Sequence, residues 1–138
     1  NHSYRTQLSS NFRTAPNFSI GYRYSVQDSD QGSRRTKFYT KAPSVNFDAL
    51  IFKSFTLRTN YSYNNFSNEE KTLNDYEFWD ASLAYRKNKD SKWEYEIKAS
   101  NLLDTRYQNQ SSSSTISVSA SEYFIQPRFV TLRLRYEL

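Results

Sequence analysis

Residues 128–138 read RFVTLRLRYEL, and this stretch decides the fold class. Val130, Leu132, Leu134, Tyr136 and Leu138 share one parity, while Thr131, Arg133, Arg135 and Glu137 share the other. Alternation at period two puts successive side chains on opposite faces of a β-strand, one apolar and one polar. The pattern runs to the last residue, where most chains fray. Such a terminus is expected to be held in a sheet.

Six segments upstream repeat the pattern. Tyr4, Thr6, Leu8, Ser10 and Phe12 form a weak first strand, followed by a break at Thr14–Asn17. Phe18, Ile20, Tyr22, Tyr24 and Val26 form a clean second, and Val45, Phe47, Ala49 and Ile51 the distal end of a third. Its nearer half, TKFYTKAP (36–43), is polar on both faces and contains Pro43, which predicts an exposed extension or an irregular stretch. A turn at Phe52-Lys53-Ser54 leads to Phe55, Leu57, Thr59, Tyr61 and Tyr63. Trp79, Ala81, Leu83 and Tyr85 carry a fifth strand, and Trp93, Tyr95, Ile97 and Ala99 a sixth, across the short charged connector KNKDSK.

Each segment is about ten residues long, and short connectors alternate with long polar ones at 27–35, 65–75 and 101–126. The serine run Ser111–Ser114 in the last of these reads as an exposed loop, with an additional strand standing above the sheet as the alternative. Transmembrane β-strands of ~9–11 residues, joined by short turns on one side and long loops on the other, follow this rhythm. On that reading the three long connectors are extracellular.

Composition narrows the classes further. Among 138 residues there are 12 Tyr and 10 Phe but only 36% hydrophobic residues, so the apolar content is concentrated in large rings. Disordered chains lack such rings. Cysteine and methionine are absent and the only histidine is His2, which excludes disulfides, thiolate metal sites and a histidine-centred triad. Asp48, Asp80 and Asp104 stand on separate segments without a paired carboxylate or nucleophile–base spacing, so no enzyme activity and no cofactor are expected. The net charge of +5 is spread over alternate positions. Cations and aromatics in YRY (22–24) fall on opposite faces, whereas single-stranded nucleic acid is bound by both on one face, so nucleic acid is not expected as a partner. No secretory signal opens the chain, and an exported protein carrying it would be a mature or partial one.

A soluble sandwich and a membrane barrel both present one apolar and one polar face. Only 2 Gly and 3 Pro are available for the tight hairpins of a sandwich. Tyr22, Tyr24, Tyr61, Tyr63, Trp79, Tyr85, Trp93 and Tyr95 cluster near segment ends, as the aromatic girdles of membrane interfaces require. The opposite parity carries Arg5, Gln7, Ser9, Asn11 and Arg13, then Thr56, Arg58, Asn60, Ser62 and Asn64, a polarity suited to a lumen. There, Glu94, Glu96 and Lys98 are expected to face Arg133, Arg135 and Glu137 as a cross-strand charge ladder, with Asp80 and Arg86 also pointing inward.

WEYEIKASNLLDTRYQ, followed by a polar loop and EYFIQPRFVTLRLRYEL, resembles the C-terminus of TonB-dependent outer-membrane receptors of the Bacteroidota type, including SusC-like and carboxypeptidase-regulatory-domain-bearing groups. The match is carried by Asn101, Leu102, Leu103, Asp104 and Tyr107, by the Gln126-Pro127-Arg128 lead-in, and by the terminal strand; DYEFWDASLAYR resembles the antepenultimate strand. The chain ends in Leu138 where the family has Phe. The resemblance is specific over the C-terminal half and generic before it. It implies a barrel of ~22 strands around an N-terminal plug. Such a receptor sits in the bacterial outer membrane, takes its energy from TonB, and imports a nutrient such as a glycan, a peptide or a metal chelate. Residues 1–138 would then be the C-terminal portion of one barrel domain, without plug or earlier strands. Implied partners are the bilayer and lipopolysaccharide, TonB and the plug, a surface lipoprotein, and the barrel-assembly machinery. For that machinery Val130, Leu132, Leu134, Tyr136 and Leu138 would be the assembly signal.

Strand counting points the same way. Seven alternating strands bring the first and last parallel, whereas bacterial single-chain barrels close antiparallel with even strand numbers. The remaining alternatives are a small closed barrel with a structural or adhesion role, a barrel piece held as a client of the assembly machinery, and a soluble sandwich binding carbohydrate through its aromatics.

Overall fold

The computed structural model describes residues 2–10, 12, 16–31, 34–88, 90–113 and 118–138. Asn11, Arg13, Thr14, Ala15 and Ser114 from the sequence reading lie outside them. The alternating segments become nine β-strands: β1 His2–Ser9, β2 Asn17–Gln31, β3 Arg34–Ile51, β4 Phe55–Asn68, β5 Thr72–Tyr85, β6 Trp93–Ser100, β7 Tyr107–Ser113, β8 Val118–Phe124 and β9 Phe129–Tyr136. Seven form one antiparallel sheet in the order β1-β2-β3-β4-β5-β6-β9, and β7-β8 is a separate hairpin. The protein is all-β, with no helix among the described residues.

Register assigns every apolar parity to the same face. Leu8, Ile20, Val45, Tyr61 and Trp79 lie in one row across the sheet, and Phe18, Phe47, Thr59, Ala81, Ala99 and Val130 in the next. Below them run Ala49, Leu57, Leu83, Ile97 and Leu132, then Ile51, Phe55, Tyr85, Tyr95 and Leu134. A one-residue slip in any pair would send that strand's rings to the polar face.

This apolar face has no second layer. Ile97 is 53% exposed and Leu132 67%, and the buried apolar residues among those described are few: Phe38, Phe66 and Ala84. The accessible surface is 10327 Å². A compact monomer of 16.4 kDa would expose only about 7,500 Å². The excess is what a single sheet with both faces open leaves behind.

Three expectations need correction. The connectors at 27–35 and 65–75 are largely strand: β2 and β3 pair out to Gln31 and Arg34, and β4 and β5 are joined by a turn at Glu69–Lys71. Asn68 Oδ1 accepts from the N–H groups of Glu70 (3.0 Å) and Lys71 (2.8 Å), which closes that turn without glycine. Residues 36–43 are also regular strand, and the ladder to β4 skips only between Lys41 and Ser44, where Pro43 has no N–H to give. Serine-rich residues 107–113 and 118–124 form the β7-β8 hairpin, so the additional-strand alternative holds there. In all three places backbone ladders form between polar segments with no apolar stripe to reveal them. Phe38 and Phe66 stack at 5.4 Å on the polar side and give the protruding strands a small core of their own.

The turn at 52–54 is present. Phe52 and Lys53 both have positive φ, 50° and 60°, with the Ser54 N–H donating to Ile51 O at 3.3 Å. Positive φ at both central residues is the twist that matches a two-residue hairpin.

Candidate functional site

The polar parity lines the other side of the sheet, which curls into two grooves. One, of about 520 Å³, crosses the lower and middle sheet and is lined by Asp48, Arg58, Asp80, Glu96, Lys98 and Arg133 among others. The second, of about 430 Å³, lies over β1–β5 and is lined by Arg5, Gln7, Arg23, Ser44, Asn64 and Tyr76 among others.

Cross-strand ion pairs run through and beside the first groove. Register sets Glu94 against Arg135 and Glu96 against Arg133, and the side chains meet at 3.5 and 3.2 Å. Arg58 meets Asp48 at 3.3 Å. Of the expected ladder, Lys98 falls opposite Thr131, and Glu137 lies beyond the paired rows, where it meets Arg86 at 2.6 Å. Arg86 Nε also donates to Ser91 O at 2.9 Å, closing the β5–β6 connector. Antiparallel direction decides this outcome: it aligns the ladder from Glu94 upward with β9 from Arg135 downward. Asn46 and Asn60, opposite each other in register, are hydrogen-bonded across β3 and β4.

The resemblance motif forms a single lock between β6 and β9. Asn101, only 5% exposed, has positive φ of 53°. Its Nδ2 donates to Thr105 O (2.8 Å) and Gln126 O (3.0 Å), and its Oδ1 accepts from the Thr105 N–H (2.9 Å). Asparagine is among the few non-glycine residues that tolerate this conformation, and its amide can bond both sides of the turn. Asp80 Oδ1 accepts from the Asn101 N–H at 2.8 Å, and the Leu102 N–H donates to Trp79 O at 2.8 Å, so the turn continues along the edge of β5. Asp104, also at positive φ, accepts from the Arg128 N–H through Oδ1 (3.2 Å) and meets Arg106 through Oδ2 (3.4 Å). The donated Arg128 N–H, aided by the Arg106 and Arg128 charges, holds the Asp104 carboxyl below its usual value. Arg128 also reaches Leu102 O at 3.4 Å. Residues far apart in sequence thereby fix where β9 begins. Tyr107 meets Phe124 in a tilted ring contact at 5.0 Å at the base of the β7-β8 hairpin.

On the apolar face the aromatics fall into two belts. The lower contains Phe55, Tyr85, Tyr95, Trp93 and Tyr136, linked by ring contacts at 4.9 Å for Phe55–Tyr85 and Trp93–Tyr136, with Lys92 Nζ over the Tyr136 ring. The upper contains Tyr22, Tyr24, Tyr61, Tyr63 and Trp79, with Tyr24 stacked on Tyr39. Two of its polar tips are hydrogen-bonded within the sheet: Trp79 Nε1 donates to Thr59 Oγ1 (2.8 Å) and Tyr61 OH to Glu77 Oε2 (2.8 Å). Between the belts lie a mixed row, with Phe18, Phe47 and Thr59 beside Ala81, Ala99 and Val130, and an aliphatic row of Ala49, Leu57, Leu83, Ile97 and Leu132. From Phe55 to Tyr63 is about nine residues, the span of a tilted transmembrane strand.

Val130, Leu132, Leu134 and Tyr136 lie on the apolar side of β9, whose outer edge is unpaired among the described residues; Leu138 follows beyond the strand and is exposed. The opposed Arg5 and Arg23 were missed by sequence reading, since parity shows which face each occupies but not that they face each other. No group of three or more His, Cys, Asp or Glu suited to a metal occurs among the described residues. No family model, curated protein or solved structure matches the chain.

Proposed function

We propose that this chain is barrel wall of a TonB-dependent transporter in the bacterial outer membrane, importing a nutrient such as a glycan, a peptide or a metal chelate. One observation carries the reading: a single sheet with an uncovered apolar band bounded above and below by aromatic belts, backed by a polar face that carries cross-strand ion pairs between β6 and β9. Lipid covers such a band, whereas a sandwich would bury aliphatic rows against a second sheet. The belts place amphipathic rings at headgroup level. Six successive antiparallel pairings make β1 and β9 run in the same direction. Lipid does not tolerate open strand edges, so further strands, in this polypeptide or another, must complete the wall. The Asn101–Arg128 lock gives physical content to the residues that carry the family resemblance. Within a transporter the wall excludes lipid and presents the polar face to the plug, through which TonB would act.

Trp79 and Trp93 lie in opposite belts and report on this directly. In micelles doped with nitroxide-labelled amphiphile, Trp79→Phe and Trp93→Phe each leave one fluorophore. Both should be quenched more strongly by a label near the headgroup than by one at the chain end. A chain that is monodisperse in plain buffer, with neither tryptophan quenched in micelles, would refute the membrane reading.

A further inference from the structure

Arg5 and Arg23 are directly opposite each other across β1 and β2 on the polar face. Facing residues in such a pair have Cβ atoms ~4.5–5.5 Å apart, and like charges there destabilise the sheet. Elsewhere on this face arginines are neutralised: Arg58 by Asp48, Arg86 by Glu137, Arg133 by Glu96 and Arg135 by Glu94. Neither Arg5 nor Arg23 meets a carboxylate among the described residues. The flanking rows supply none, being Ser3, Ser25 and Thr40 on one side and Gln7, Gly21, Ser44 and Ser62 on the other. Two exposed guanidiniums are thus held together with no counter-charge among the described residues.

Gly21 keeps the floor of the groove beside the pair open. It lies in the middle of β2, where glycine weakens a strand relative to alanine. Its backbone needs no glycine, since its φ lies outside the left-handed region; what distinguishes it is the missing side chain. It shares the Arg23 face, between Gln7 and Ser44, and lines the groove of about 430 Å³ with both arginines. A Cβ there would come within 2.8 Å of Ser44 Oγ. Glycine inside a strand commonly marks a place where a ligand approaches the backbone closely. Gln7, Ser44, Asn46, Ser62, Asn64 and Tyr76 surround the opening with neutral hydrogen-bonding groups.

We infer that Arg5 and Arg23 form a binding site for a small multivalent oxyanion, a phosphate- or polycarboxylate-bearing solute seated over Gly21. Two guanidinium forks match the planar or tetrahedral oxygens of such groups, and each charge-assisted bond is roughly twice as strong as a neutral one. A bound anion offsets the like-charge repulsion between Arg5 and Arg23. This inference uses only the polar face and stands apart from the membrane reading.

The test is equilibrium binding of inorganic phosphate and of citrate to the full chain, in non-ionic micelles or in buffer, whichever keeps it folded. Ionic strength is held constant with chloride, and the guanidinium N–H resonances are followed. Saturable shifts confined to Arg5 and Arg23 are expected, and Arg5→Gln or Arg23→Gln should each weaken binding by about tenfold or more. The same substitutions should raise the melting temperature without anion and abolish the rise that anion gives the parent chain, a reversal that a merely structural arginine would not show. Gly21→Val combined with Ser44→Gly, which removes the hydroxyl that a Cβ at position 21 would strike, should fold and fail to bind, while Arg135→Gln should bind as the parent does. Absence of saturable shifts at millimolar phosphate and citrate would overturn the inference. So would undiminished binding in Arg5→Gln and Arg23→Gln, or binding of an acidic peptide but of neither small anion.

Discussion

The two ends of the polar face treat arginine in opposite ways. On β6–β9, Arg133 and Arg135 each face a glutamate and the charge is cancelled in place. On β1–β2, Arg5 and Arg23 face each other and no described residue cancels them. Both ends have the same strand geometry, so the backbone does not cause the difference; the identity of the facing residue does. A neutralised corner behaves as wall, because its side chains are already occupied. An uncompensated corner keeps an electrostatic demand that only something from outside can meet.

The largest effect should come from loosening one corner while leaving the other alone. Asn101→Ala removes the side-chain bonds to Thr105 and Gln126 and puts a Cβ-bearing residue without a polar handle at positive φ, which together should destabilise by ~3 kcal/mol. Amide exchange should rise across β6 and β9 and hardly change in β1 and β2; a uniform rise would show that the two corners unfold as one. Smaller is the effect of making the corners alike. Arg5→Glu creates at β1–β2 the pairing already present at β6–β9 and should stabilise by about 1 kcal/mol in a denaturant titration. Glu96→Gln does the reverse and should destabilise by only ~0.5 kcal/mol, because the Arg133 side chain is 62% exposed and readily solvated.

Smallest is the contribution of Asp104, which tethers the approach to β9. Its folded value lies below the ordinary 3.8, so the stability it lends is fully present above pH 3.8. That stability is lost as the pH falls through the lowered folded value. Below pH 3.8 the parent chain should lose stability more steeply than Asp104→Asn, and parallel thermal melts would remove Asp104 from the lock.

Much of the fold is legible in single residues. Leu132 between Arg133 and Thr131 announces a two-faced strand, and Trp93, Tyr95 and Ile97 repeat it. The polar ladders above the band are not legible. Gln27 against Phe38, or Ser112 against Ser119, pairs through backbone groups that every residue carries. The site divides the same way. Glu94 and Glu96 are readable as partners of β9, since opposite charges at matching parity on strands of one sheet are expected to meet. Asp80 as the anchor of Asn101, and Glu137 as the partner of Arg86, depend on how a turn folds back, which parity does not encode.

Period-two alternation by itself determined which residues share a face, because a strand has only two sides and one of them must leave water. Tertiary structure alone decided which residues face each other across strands. Register is set jointly by turn length, ladder hydrogen bonds and the Asn101 lock, and a shift of two residues preserves every face while changing every partner. For this protein that difference is whether Arg23 meets Arg5 or a neutral neighbour, and therefore whether the polar face closes on itself or stays open to an anion.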